Sequence, residues 1–142
     1  MAFTGNWACN SFKTGMMNGT FNFTSGSFKI ALYTNSATLD ATTTAYTSVG
    51  EVAPSSAYTT TGLALTISQV PTTGNSGTTA YLSFSNAVWS GSILARGALI
   101  YQNGGGTPAV CVLDFGADKQ SSATFTVQFP SITNTSAIIR IA

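Results

Sequence analysis

RGALIYQNGGGTPAVCVLDF, residues 96–115, decides the fold. Two mainly apolar runs, Arg96–Tyr101 and Ala109–Phe115, flank QNGGGTP, a loop of Gly, Asn and Pro. Runs of this kind around a glycine-rich connection predict a β-hairpin. Pro108 stands at its mouth, where the missing N–H removes no central ladder bond. Further along, Thr124–Phe129 (TFTVQF) places Phe125, Val127 and Phe129 on one face by strict alternation, and Ala137–Ile141 (AIIRI) reads as a last strand beyond Pro130–Ser136.

Towards the N-terminus the signal stays β. Asn86–Ile93 carries Val88 and Trp89, and Thr79–Phe84 follows the turn cluster PTTGNSG at 71–77. Leu63–Gln69 (LALTISQ) alternates as one half-buried strand, with a shorter strand at Tyr58–Thr61 broken off by Gly62. Phe28–Thr34 (FKIALYT) sets Phe28, Ile30 and Leu32 against Lys29, Ala31 and Tyr33. Only Lys29 clearly needs water, so both faces of this strand are expected to be covered. Thr20–Thr24 reads as a short strand.

Residues 35–57 form a Thr/Ala/Ser-rich connection, longer than compact domains commonly hold without structure or function. A short helix or strand is expected at Ala45–Val52, pinned to the core by Tyr46, Val49 and Val52. Residues 7–17 are the one plausible helix, with Trp7, Cys9, Phe12 and Met16 near one face, Asn6 as N-cap and Gly19 closing it. The expectation is a single all-β domain over residues 1–142, an antiparallel β-sandwich or barrel of about eight short strands with a short N-terminal helix.

Composition narrows the chemistry. The chain has 142 residues, no histidine, five Lys/Arg and four Asp/Glu, so 6% are charged against the ~25% usual for soluble domains. A Ser/His/Asp or Cys/His apparatus cannot be assembled without histidine. Cys9 and Cys111 are too few and too far apart in sequence for a zinc site, and are expected as two reduced thiols. Asp40, Asp114 and Asp118 lack calcium-loop spacing. Asp114 and Asp118 are conceivable as a glycosidase pair, but DFGADK reads more simply as a surface turn. Gly104–Gly106 has no following Lys-Ser/Thr and is a hairpin loop, not a phosphate cradle. No catalytic, metal or cofactor-binding residue is therefore expected, and the chain is read as no enzyme.

Two polar or aromatic groupings remain open. Arg96 and Asp114 approach each other if their strands pair, either as a partly buried ion pair or as solvated strand ends. Trp89, Tyr81, Tyr101, Tyr33 and Tyr58 are stacking faces for carbohydrate or simply core. With a net charge of +1 there is no basic patch for direct nucleic-acid binding, and near-neutrality favours association into homo-oligomers. No apolar run of ~18 residues predicts a membrane helix, and the N-terminus does not read as a signal peptide.

The stretches SFKTGMMNGTFNFT, FKIALYTNSATLDATTTAY, ARGALIY, AVCVLDFGADK and AIIRIA, in that order, resemble small virion-associated proteins of tailed bacteriophages, marine and cyanobacterial phages included. The resemblance runs nearly end to end and brings no catalytic or ligand residues with it. It implies a virion component assembled in the host cytoplasm: a capsid decoration (cement) protein that stabilises the shell by binding many copies of the major capsid protein. The alternative it implies is a tail or fibre structural protein, with host-surface glycan binding. The connections 35–57 and 102–108 are the candidate contacts with other virion proteins.

Overall fold

The hairpin built from residues 94–120 is the centre of the molecule. The computed structural model describes residues 3–75 and 77–142. In chain order the elements are β1 (Trp7–Ala8), α1 (Asn10–Asn18), β2 (Phe28–Tyr33), β3 (Leu63–Leu65), β4 (Ile67–Thr72), β5 (Ala80–Phe84), β6 (Ala87–Ser90), β7 (Leu94–Gln102), β8 (Ala109–Gln120), β9 (Thr124–Val127) and β10 (Ile139–Ile141). The fold is all-β with one short helix near the N-terminus, and every strand pairing is antiparallel.

Among the described residues three sheets result, ordered β1-β8-β7-β2-β3, β10-β5-β4 and β6-β9. β7 and β2 occupy the middle of the large sheet and are buried almost throughout, as the two-faced apolar pattern of FKIALYT requires. Register places Ile30 opposite Ile100 and Tyr33 opposite Gly97. The large sheet meets the smaller ones through aromatic rings. Phe28 of β2 lies 6.0 Å from Phe84 of β5, and Phe115 of β8 lies 6.1 Å from Phe125 of β9, centroid to centroid. Phe23 stacks on Phe28 at 4.5 Å, and Phe12 and Phe21 extend the pile to α1. Layered sheets of this kind bury one aromatic core.

Several elements depart from the sequence reading. The helix begins at Asn10, not residue 7: Trp7 and Ala8 pair with Val112 and Cys111 as β1. Cys9 is the N-cap, without a side-chain bond, while Asn6 Oδ1 accepts from the Asp114 N–H at 2.7 Å. Gly19 does close the helix, in a left-handed conformation at φ +80°. Thr20–Thr24 and Tyr58–Thr61 are turns and extended loop, not strands. Leu63–Gln69 is divided at Thr66 between β3 and β4, which belong to different sheets. Within the 71–77 cluster, Pro71 and Thr72 finish β4 and Gly74 turns at φ +51°, and Ser76 lies outside the described residues.

DFGADK is strand, not turn. β8 runs through it to Gln120, and between the pairs Gly97–Asp114 and Ala95–Lys119 it advances five residues while β7 advances two. The excess forms a wide bulge, with Gly116 at φ +80° taking the conformation that side chains resist. In the long connection, isolated bridges Ala45–Pro108 and Tyr33–Glu51 replace the expected short element. Tyr46 and Val52 pack against the core, but Val49 is 73% exposed and pins nothing.

Candidate functional site

The densest polar arrangement surrounds Glu51, in the connection between β2 and β3. Its Oε2 accepts from the Tyr46 hydroxyl at 2.6 Å. Its Oε1 accepts from the Tyr58 hydroxyl at 2.7 Å and from the Thr61 N–H at 2.8 Å. Thr61 is itself held three ways. Beyond that N–H bond, its Oγ1 accepts from Lys29 Nζ at 2.6 Å and its carbonyl from the Tyr101 hydroxyl at 2.6 Å. It needs this restraint, because it is a β-branched residue at φ +81°, a conformation costing ~1–3 kcal/mol.

Burial raises the pKa of Tyr33, Tyr46, Tyr58 and Tyr101. For Tyr33 the charge of Glu51 adds to the rise, and for Tyr46 and Tyr58 the hydrogen bond each donates to Glu51 does so. These phenols therefore stay protonated and donate. Tyr33 donates to the Thr47 carbonyl at 2.7 Å. The cluster ties the 45–62 segment to β2 and β7, and all its bonds run within the protein.

The other candidate residues are spread over the molecule. Arg96 Nη1 and Asp114 Oδ1 form the ion pair, with side chains only 16% and 11% exposed, so the partly buried reading holds rather than the solvated one. Asp114 Oδ1 also accepts from Gly116 N–H at 2.8 Å, which anchors the bulge, and the Arg96 guanidinium lies 5.7 Å above the Phe3 ring. Asp118 is exposed in the bulge, and Asp40 is occupied by Thr42, whose hydroxyl and N–H lower its pKa. Cys9 and Cys111 are free; burial, with a smaller push from Asp40, raises Cys9 to about 12, and burial raises Cys111. Both stay as thiols rather than the reactive thiolates. Among the described residues no three Cys, Asp or Glu gather around a common point, and no helix is long and apolar enough to cross a membrane.

Of the five candidate stacking rings, Tyr33, Tyr58, Trp89 and Tyr101 are core, each at most 3% exposed. Tyr81 alone is accessible, in an open hollow of about 300 Å³ with Asn75, Ile132, Thr133 and Asn134.

The sheet edges form the other surface of note. Among the described residues six strands are edges: β1, β3, β4, β6, β9 and β10. Four of them present a large exposed apolar side chain: Trp7 on β1 (40%), Val70 on β4 (45%), Val88 on β6 (51%) and Ile141 on β10 (50%). Edges are ordinarily blunted by charge or proline. Here β10 carries Arg140 and β4 carries Pro71, and the other four edge strands carry neither. The sequence reading missed these positions because which strand lies at an edge follows from pairing between distant segments. No family model, curated protein or solved structure matches the chain.

Proposed function

We propose that this protein is a non-enzymatic structural component of a tailed-phage virion, a decoration protein bound in many copies to the major capsid protein. The observation that carries the reading is the set of four edge strands bearing exposed apolar side chains on a chain of net charge +1. Such edges supply both backbone pairing and apolar burial, the two terms a repeated lattice contact needs. Little charge opposes close packing of copies. The sequence resemblance to small virion proteins supports the same reading.

A tail or fibre role is the second reading, favoured by the Tyr81 hollow. A ring flanked by Asn75, Thr133 and Asn134 offers the stacking face and neutral hydrogen-bonding groups that suit a saccharide. Quantitative mass spectrometry of purified particles separates the two. Hundreds of copies per particle are expected for the decoration protein. A dozen or fewer, with glycan binding lost on Tyr81→Ala, would move the assignment to the tail. Absence from particles would end both.

A further inference from the structure

β3 pairs with β2 only from Phe28 to Ile30, so it leaves the outer edge of β2 uncovered from Leu32 onward. Residues 50–61 cover it instead. Thr34 N–H donates to the Gly50 carbonyl at 2.8 Å, and Val52 N–H donates to the Leu32 carbonyl at 2.9 Å. Leu32 N–H donates to the Tyr58 hydroxyl at 2.9 Å, a side chain standing where a neighbouring strand's carbonyl would be. An edge stripped of these partners is a template for pairing with another chain.

We propose that residues 50–61 form a releasable strap over the β2 edge, with the carboxylate of Glu51 as its catch. All three groups around that carboxylate are donors: Tyr46 O–H, Tyr58 O–H and Thr61 N–H. Exchanged for Gln, it would turn one acceptor oxygen into an NH2 donor facing donors and leave the other without charge assistance. The strain at Thr61, φ +81°, then favours opening. Residues 53–56 are exposed and add little, whereas Tyr58 anchors the strap by packing its buried ring 6.3 Å from Trp89. The titratable groups around the catch are Tyr46 from the connection ahead of the strap, Tyr58 from the strap, Tyr33 and Lys29 from β2, and Tyr101 from β7. Lys29 reaches it through Thr61.

Antiparallel geometry supplies an internal control, since successive β2 amides point to opposite neighbours. Leu32 and Thr34 amides face the strap, while Ala31 and Tyr33 amides face β7. In amide hydrogen exchange on the intact protein at about pH 7, Glu51→Gln is expected to lower protection of the Leu32, Thr34 and Val52 amides about tenfold or more, with Ala31 and Tyr33 unchanged. Unchanged protection in the variant overturns the proposal. So does a loss that spreads equally to Ala31 and Tyr33. Should Glu51→Gln fail to fold, Tyr46→Phe removes the donor to Oε2 alone, and it must give the same selective loss; a uniform loss or none overturns the proposal.

Discussion

At the scale of single residues, two positions carry more than their size suggests. Gly62, at φ +77°, follows Thr61 in the same left-handed region, and a Cβ there would collide with the Ile30 carbonyl. Gly62→Ala is expected to lower stability by ~2–4 kcal/mol in urea unfolding, combining an unfavourable dihedral with a clash against strand backbone. Arg96 and Asp114 form the partly buried pair, and removing one leaves the other's charge desolvated. Arg96→Ala and Asp114→Ala should each cost ~2–3 kcal/mol. Asp114→Ala should cost more, because that carboxylate also holds Gly116 N–H. In the double-mutant cycle a coupling of ~1 kcal/mol or more is expected; additive losses would remove the pair from the account. That the two residues approach each other was legible beforehand, because their runs flank one obvious loop; that they form a partly buried pair was decided by the structure. Glu51 was not legible, since nothing local to Tyr46, Tyr58 and Thr61 says they converge on one carboxylate.

At the scale of elements, the tyrosine-bound strap sets a limit on the alkaline side. Burial holds the Tyr58 phenol above its ordinary range, and its bond to Glu51 adds to this, so the folded chain keeps a proton that the unfolded chain releases near ~10. The unfolded state therefore binds fewer protons above that pH, and stability falls as pH rises. Below ~10 the contribution is fully present. Urea midpoints measured from about pH 9 to 11 should decline, and Tyr58→Phe should reduce the slope by up to ~1.4 kcal/mol per pH unit, one proton's share. A slope identical in the variant would show that Tyr58 is not among the groups responsible. Among the elements, β2 and the β7–β8 hairpin were readable because alternation and turn chemistry are local. The start of α1 was not. Trp7 falls near one helical face with Cys9, Phe12 and Met16, but the backbone of Trp7 and Ala8 pairs with Val112 and Cys111 about a hundred residues away. DFGADK has the composition of a turn, and only the pairing of Lys119 with Ala95 reveals it as a bulged strand.

At the scale of the whole molecule, the proposed assembly would rest on edges rather than on a pocket. Val88→Lys and Val70→Lys place a charge on exposed positions of β6 and β4. Each should shift monomer stability by no more than ~0.5 kcal/mol while sharply reducing incorporation into particles. Stability is checked by thermal unfolding, and incorporation by mass spectrometry of particles grown with each variant. Undiminished incorporation of both would mean that these two edges are not the contact.

The amino-acid sequence by itself determined the class of this fold: alternating apolar runs, glycine turns and nine charged residues can bury a core only as packed sheets. Absence of histidine likewise ruled out histidine-based catalysis. Tertiary structure alone decided which strands became edges, where Leu63–Gln69 divides between two sheets, and that Glu51 gathers a strap onto β2. Those features depend on contacts between segments far apart in the chain, and the period of a side-chain pattern carries no information about which distant strand completes it.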